Sequence, residues 1–462
     1  MSAAPVPAPA PTLHLINQTV HPHARCLDGS APAYYWRDGR GVRGAKSLVL
    51  FLEGGGWCFP SDIQQPSGPS LTHNNSGANC HIRAASDSGS SAAYPPSAPA
   101  GHFEGGTGII SGDPTRTAFA DFAVAYAKYC DGGSFSGTRT APDVALNGTG
   151  PLWYAGSFHL DARLVLSRLL ITHSLLLYLL QLTRYAGSFN LDAVLAELVS
   201  AHGVGGYERV VLSGCSAGGM SCYLHCDRVA AALKQAAAPH GGVLDVKCIC
   251  DAGLFIDVPT VTGAGDVMRA RFYDVADKMG ARDALGPACV DAEADWRECM
   301  FSETSLKYTS TPTFAMNSMY NFGEWEMLPP PSNLSFPPAT VTAAADWLEC
   351  WPSTGGLTAD TYAQCNSTQR VIIAAHLADF KAAAAPAAAP ADPSSPHGAW
   401  LSSCPSMHCQ SGYDRSVLVQ GLTVGEAAER WYFNGTETRL VDAAFPQNKL
   451  CPKANVTGDE NE

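Results

Sequence analysis

A serine in a glycine-rich turn is the first candidate for chemistry in this sequence. Residues Gly214-Cys215-Ser216-Ala217-Gly218 fit the pattern Gly-x-Ser-x-Gly, and they stand between a strand-like run, "RVVLSG", and a helix-like segment. In a strand–turn–helix elbow the glycines permit a tight turn that lifts the Ser216 hydroxyl above the sheet, and the Ala217 backbone N–H faces a developing oxyanion. The pattern therefore predicts a nucleophilic serine. The alternative is an ordinary glycine-rich turn between a strand and a helix.

A second glycine run, "LEGGGWC" at residues 52–58, directly follows a strand-like segment. Such a run leaves backbone N–H groups free to face a substrate, as in the glycine loops of esterases. We expect Gly54 and Gly55 to supply the other half of an oxyanion hole and Trp57 to wall the substrate pocket. The alternative is a plain turn with a core tryptophan.

A serine nucleophile needs a base, and the base needs an acid that orients it. With this type of elbow the chain order is serine, acid, histidine. His225 follows Ser216 within the same predicted helix, about two and a half turns along, and is badly placed. His408 stands in a late loop, "SCPSMHCQSG", between two cysteines. It is the candidate base, although the residues alone weigh this role evenly against a structural one.

The segments around these motifs alternate between strand-like and helix-like patterns. Apolar runs suggest strands at 47–52, 209–214, 243–257 and 311–318, and a strand that ends in a glycine-rich turn at 122–137. Helical spacing with a glycine stop appears at 191–206, and a further helix after residue 218. Such alternation predicts an α/β fold with a mainly parallel central sheet flanked by helices. Asp251 and Asp257 lie beside a predicted strand, and we expect both to be structural.

Composition restricts the class of protein. The chain has 462 residues, of which 46% are hydrophobic, and a formal net charge of -13 with no basic run, which argues against a nucleic-acid partner. Sixteen cysteines and seven Asn-x-Ser/Thr sequons favour disulfides and export. The cysteines lack the spacing of a closed zinc site, and acyl transfer by a serine needs no metal or organic cofactor. Residues 1–12 show no signal-peptide pattern and are expected to form a flexible Ala/Pro-rich lead-in.

One segment is duplicated. "YAGSFHLDA" at 154–162 recurs as "YAGSFNLDA" at 185–193, with an apolar stretch between the copies. Arg168 and His173 make a membrane span unfavourable, because a charge near the centre of a spanning helix is costly. We expect an insertion at about 154–184, either a tandem duplication or translated non-coding sequence.

Several motifs together resemble the pectin acetylesterase/Notum family. The blocks, in order, are "CLDGS", "LEGGGWC", "YCDGGSFSG", "LSGCSAGG", "HCD", "KCICDAG", "NSMYN" and "HCQ", and they span about residues 13–433. The resemblance implies a secreted carboxylesterase of α/β-hydrolase type with disulfides and a Ser-Asp-His triad. It assigns Ser216 as nucleophile, His408 as base, and Gly54, Gly55 and Ala217 as oxyanion donors. Plant members deacetylate pectin and the animal branch removes a lipid acyl group from Wnt proteins; the "GGGW" form is closer to the plant type.

The sequence departs from the family at the triad acid. Plant-like members read "NSAYD" where this chain reads "NSMYN", so Asn321 stands in place of the aspartate. Glu324 or Glu326 could replace the acid, Asn321 could orient His408 in a slower enzyme, or the chain could bind without turnover. We rank these alternatives in that order, because Ser216, His408 and the glycine run are intact.

The sequence thus predicts a lead-in at 1–12, a single esterase domain at 13–433 with a low-complexity loop at 380–396, and a tail at 434–462. The expected function is removal of acetyl groups from pectin-like cell-wall or matrix polysaccharide. We expect a secreted, monomeric esterase with no nucleic-acid partner and no membrane association. The alternatives are a protein or lipid deacylase of the animal type, which would need a deep apolar acyl pocket, and a non-catalytic glycan-binding relative.

Overall fold

One mixed sheet organises the part of the chain that the computed structural model describes, which is residues 10–59, 80–98, 108–142, 152–154, 189–258, 267–320, 350, 357–405, 407–413, 417–435 and 437–451. Its nine strands are β1 (Thr12–Leu15), β2 (Ala33–Arg37), β3 (Ser47–Leu52), β4 (Ala123–Ala127), β5 (Arg209–Cys215), β6 (Asp245–Asp251), β7 (Thr313–Ser318), β8 (Gly398–Ser402) and β9 (Arg439–Val441).

The strand order is β1-β2-β4-β3-β5-β6-β7-β8-β9. Strand β2 is antiparallel to both β1 and β4, and all the other pairs are parallel. The carboxyl ends of β3 to β8 therefore lie along one edge of the sheet, where open α/β sheets bind ligands. This arrangement confirms the predicted α/β-hydrolase-like fold.

Helices cover both faces of the sheet. Within the described residues they are α1 (Gly41–Gly44), α2 (Cys80–Arg83), α3 (Phe189–His202), α4 (Ala217–Ala237), α5 (Val267–Met279), α6 (Pro287–Ala292), α7 (Ser302–Tyr308), α8 (Ala359–Gln364), α9 (Ser367–Ala383), α10 (Ala385–Ala388) and α11 (Val424–Asn434). None of these helices combines the length and apolar character that crossing a membrane requires.

The central strands are apolar throughout because both of their faces are covered. All six residues of β3 are buried. Alternate side chains of β3 enter opposite layers: Leu48 and Leu50 join the layer that contains α4, and Val49 and Phe51 join the layer that contains Trp431 of α11. The sheet is thus fixed between two apolar layers, and its carboxyl edge has a rigid base.

All sixteen cysteines form disulfides, as their number predicted. The pairs are Cys26–Cys130, Cys58–Cys80, Cys215–Cys409, Cys222–Cys250, Cys226–Cys248, Cys289–Cys299, Cys350–Cys365 and Cys404–Cys451. Two of these bridges tie α4 to β6, and one joins the residue before Ser216 to the residue after His408.

The structure corrects two expectations about organisation. The segment 380–396 is not simply a loop, since it contains the end of α9 and all of α10, with Phe380, Ala384 and Ala387 fully buried. Alanine is the best helix former and small enough to pack closely, so a low-complexity run can still be core. The domain also does not end at 433, because β9 pairs with β8 and Cys451 is bonded to Cys404. Apart from Tyr154, the predicted insertion at 154–184 lies outside the described residues.

Candidate active site

Ser216 occupies a strained elbow between a strand and a helix. Strand β5 ends at Cys215 and α4 begins at Ala217, and Ser216 between them has φ 60° and ψ -127°. A Cβ atom on Gly218 would come within 2.0 Å of the Leu52 carbonyl oxygen, so the last glycine of the motif is required by close packing. Left-handed backbone at a non-glycine residue is costly and concentrates at functional sites. The predicted nucleophile therefore has the geometry its motif implies, and its side chain is partly exposed.

Two backbone segments adjoin Ser216 on the oxyanion side. Ala217 is the first residue of α4, where N–H groups have no partner within the helix. A Cβ on Gly54 would lie 3.0 Å from the Ser216 Cβ, so the loop after β3 touches the elbow. Gly55 has φ 127°, and its carbonyl oxygen accepts a hydrogen bond from the Arg83 guanidinium at 2.7 Å. Gly54 and Ala217 are thus brought together beside Ser216, and their role as donors, with Gly55, stays a prediction.

A mostly buried ion pair that sequence reasoning missed holds this glycine loop. The Glu53 carboxylate binds the Lys128 ammonium and accepts the Tyr129 N–H at 2.7 Å. The two charged side chains are only 13% and 12% exposed. The loop after β3 is therefore anchored to the chain that leaves β4, and no local pattern marks a contact between residues 75 positions apart.

Trp57, which was predicted to wall the substrate pocket, is almost fully buried. It is 8% exposed and packs edge-on against Phe255 and Phe272, with ring centroids 4.8 and 5.0 Å away. Its indole N–H donates to the Ser134 hydroxyl at 2.8 Å, and that hydroxyl donates to the Ala217 carbonyl at 2.9 Å. Trp57 therefore supports the elbow from inside, and contact with a substrate stays a prediction.

His408 follows β8 and reaches the elbow through a disulfide. Cys409 is bonded to Cys215, and a ring nitrogen of His408 lies within 4.8 Å of both sulfur atoms. Because Cys215 directly precedes Ser216, the loop that carries the predicted base adjoins the elbow that carries the predicted nucleophile. This group is also the one cluster of potential metal-ligand atoms in the described residues. Its sulfurs are joined to each other, whereas metal binding requires the thiolate.

The three candidates for the acid, Asn321, Glu324 and Glu326, lie outside the described residues. Strand β7 ends at Ser318, three positions before Asn321, and points to the same edge as β5 and β8. The identity of the acid therefore stays a prediction.

His225 is buried beneath the elbow. It is fully buried, and its Nε2 lies 3.1 Å from the Ser134 carbonyl oxygen. Burial lowers the pKa of His225 to about 3, so the ring stays neutral at physiological pH. A neutral, enclosed imidazole that is bonded to backbone supports the elbow and is not placed to accept a proton from Ser216.

Asp251, at the end of β6, contacts the loop that carries His408. Its carboxylate accepts the Gln410 N–H at 2.7 Å and the Ser411 N–H at 2.8 Å. Burial raises the pKa of Asp251 to about 6, against the opposing effect of these hydrogen bonds. Asp257 instead binds Arg269 at 2.6 Å. The "CDAG" motif marks Asp251 as a residue at a strand end, but nothing in it indicates a partner 159 positions away.

The sheet order, the serine elbow after β5 and the histidine loop after β8 define a serine hydrolase of the α/β-hydrolase fold. The family model described as Pectinacetylesterase matches residues 8–170 and 181–452 of the chain. The protein belongs to this family, and it is accordingly a carboxylic ester hydrolase of the serine type. The internal residues that the family model leaves unmatched, 171–180, fall within the predicted insertion.

Individual relatives agree with this assignment. The chain is 28% identical to pectin acetylesterase 5 of Arabidopsis thaliana, over 94% of this chain and 83% of the relative. It is 28% identical to pectin acetylesterase 4 of the same plant, over 93% of this chain and 85% of the relative. The palmitoleoyl-protein carboxylesterase NOTUM of Mus musculus is 26% identical over 53% of this chain and 36% of the relative.

Proposed function

We propose that this protein removes acetyl groups from an acetylated, pectin-like polysaccharide of the cell wall or matrix, with Ser216 as nucleophile and His408 as base. The observation that carries the proposal is the union of the strained Ser216 elbow with the His408 loop through the Cys215–Cys409 bond. The plant relatives support the acetyl ester over a long acyl chain, because they align with nearly the whole chain and NOTUM with about half.

The reaction is an acyl transfer in two halves. The Ser216 oxygen attacks the ester carbonyl carbon while His408 takes the hydroxyl proton, and the N–H groups of Gly54, Gly55 and Ala217 bind the oxyanion. Collapse of this intermediate breaks the bond to the sugar oxygen, which leaves with the proton from His408. Water, deprotonated by His408, then attacks the acetyl-serine and releases acetate. The reaction consumes one water and needs no cofactor.

Export is part of the proposal. The three sequon asparagines in the described residues, Asn17, Asn366 and Asn434, are all exposed, as glycosylation requires. The eight disulfides favour an oxidising compartment. We propose a secreted monomer that works outside the cell. The net charge of -13 does not attract an acidic polysaccharide, so local Arg or Lys side chains would have to bind the negative charges of the substrate.

Acetate release by the purified secreted chain tests this function. Wild type and Ser216→Ala are compared on acetylated pectin, acetylated xylan, 4-nitrophenyl acetate and 4-nitrophenyl palmitate. Loss of the nucleophile is expected to lower kcat by about 10⁶-fold, which is below detection. Palmitate cleavage faster than acetate cleavage would favour the lipid deacylase. Folded wild type with no Ser216-dependent turnover on any of the four would leave the glycan-binding alternative.

The acid is tested with Glu324→Gln, Glu326→Gln and Asn321→Asp on the same substrates. If a glutamate has replaced the family aspartate, its amide variant loses up to about 10⁴-fold in kcat, as for a triad aspartate changed to asparagine. If Asn321 orients His408, the glutamate variants are unaffected and Asn321→Asp gains activity. The first outcome is the one we expect.

A further inference from the structure

We propose that Asp251 is a positioning residue that holds His408 and Ser216 in register, through its carboxylate on one side and its backbone on the other. This inference rests on the proposed function, since it assumes that Ser216 and His408 react together.

The carboxylate holds the histidine loop. Both oxygens are engaged, one by the Gln410 N–H and one by the Ser411 N–H, which are the second and third residues after His408. Asp251 is 1% exposed, so water does not compete for these bonds. Hydrogen bonds to a charged acceptor are about twice as strong as neutral ones, and two of them fix both the position and the direction of the loop.

The backbone of the same residue holds the nucleophile. The Asp251 carbonyl oxygen accepts the Ser216 N–H at 3.1 Å. A Cβ on Gly219 would come within 2.0 Å of that oxygen, so the first turn of α4 lies directly against it. Any displacement of Asp251 would therefore move the elbow as well as the loop.

The disulfide and the carboxylate act side by side. Cys215 and Asp251 are register partners on β5 and β6. Their bonding partners in the His408 loop, Cys409 and Gln410, are consecutive residues. The bond between sulfurs fixes one point of the loop but permits rotation about it. The second attachment, at Asp251, prevents that rotation, which would swing the His408 ring relative to the Ser216 hydroxyl.

Asp251→Asn tests this inference. The amide supplies one acceptor, but its NH2 group faces the second backbone N–H, so one attachment is lost. A displacement of about 1 Å in a reacting group can cost about 10²-fold in rate. We expect kcat on 4-nitrophenyl acetate to fall about 100-fold with KM within about threefold. The matched control is Asp257→Asn, since Asp257 is also a nearly buried carboxylate after β6 but pairs with Arg269; its kcat should be unchanged.

Turnover is expressed per reactive serine, counted by labelling to completion with a fluorophosphonate. A purely structural role would lower the number of labelled sites and leave turnover per site unchanged, and that result would overturn the proposal. Asp251→Ser, with a single short acceptor, is measured in parallel. If both Asp251 variants fail to fold while Asp257→Asn folds, Asp251 serves folding only and the proposal is wrong. Failure of the proposed function is recognised separately, as wild type without Ser216-dependent turnover.

Discussion

Glu53→Gln tests whether a mostly buried charge holds the glycine loop after β3, which carries the predicted oxyanion donors. Glu53 directly precedes Gly54, and its carboxylate binds the Lys128 ammonium and the Tyr129 N–H. Glutamine preserves the shape and one acceptor but removes the charge. Lys128, whose side chain is 12% exposed, would then be left with the rings of Tyr94 and Tyr126, whose centroids lie 4.8 and 6.0 Å from its Nζ.

The magnitude follows from this burial. Removing one partner of a buried ion pair costs about 3–5 kcal/mol. The contact with Tyr94 offsets about 1 kcal/mol, so we expect a loss of about 3 kcal/mol in the free energy of unfolding. For 462 residues the entropy of unfolding is about 1 kcal/mol per kelvin, and Tm should fall by about 3 °C. Loss of an oxyanion donor costs about 10²–10³-fold in kcat, and a partly displaced loop should cost about tenfold to hundredfold.

The assay compares thermal unfolding and kcat on 4-nitrophenyl acetate for Glu53→Gln and for Glu208→Gln. Glu208 pairs with Lys46 at 3.6 Å, but both side chains are more than half exposed. Exposed pairs contribute at most about 1 kcal/mol, so the control should barely change Tm and should not change kcat. Equal effects of the two variants on Tm would refute the reasoning from burial. A lower Tm with unchanged kcat would show that the pair stabilises the fold without positioning the glycine loop after β3 for catalysis.

Three further outcomes are expected. Burial lowers the pKa of His225 to about 3, so wild type loses stability as pH falls from about 6.5 towards 3, by up to about 1.4 kcal/mol per pH unit. His225→Gln should remove this loss, and urea unfolding at pH 7 and pH 4.5 measures the difference in the free energy of unfolding. Replacing both cysteines of the Cys215–Cys409 disulfide by serine should lower the free energy of unfolding by about 5 kcal/mol and lower turnover per labelled serine. The same change at Cys289–Cys299 should lower the free energy of unfolding by about 3 kcal/mol and leave turnover intact. The energies differ because the bridged residues are 194 and 10 positions apart. Asn366→Asp should abolish glycosylation at that sequon, seen as a smaller mass, with Tm unchanged because aspartate still caps α9 by accepting the Gln369 N–H.

The parts of the site that lie close together in the chain could be predicted from the sequence. The Ser216 elbow needs only a buried strand, two glycines and a helix in succession, and all three leave local patterns. The central parallel strands are uninterrupted apolar runs for the same reason. Strands β1 and β9 left no such signal, because they have four and three residues and are only partly buried. Their pairing is decided by neighbouring strands, which a local pattern does not contain.

Contacts between distant residues could not be predicted in this way. Cys215 and Cys409 are 194 positions apart, and sixteen cysteines allow very many pairings. The partners of Glu53 and Asp251 include backbone groups and a lysine in segments that follow other strands, and no residue type marks them. The loop predicted for the alanine-rich segment 380–396 was wrong because its low-complexity composition suggested a loop, although alanine is the best helix former.

Backbone strain shows how these distant contacts serve the site. Six non-glycine residues in the described part of the chain have positive φ, and five of them, Ser134, Phe135, Ser216, Ala252 and Cys409, follow strands at the carboxyl edge of the sheet. Such residues cost about 1–3 kcal/mol each and persist only where the surroundings fix them. Around this edge the groups that hold these turns are a disulfide, the buried Asp251 carboxylate, the mostly buried Glu53 carboxylate and a buried serine hydroxyl. The long-range contacts that could not be predicted from the sequence therefore hold the strained turns at this edge in place. A variant that removes one such contact should alter the geometry of the Ser216–His408 pair before it unfolds the sheet.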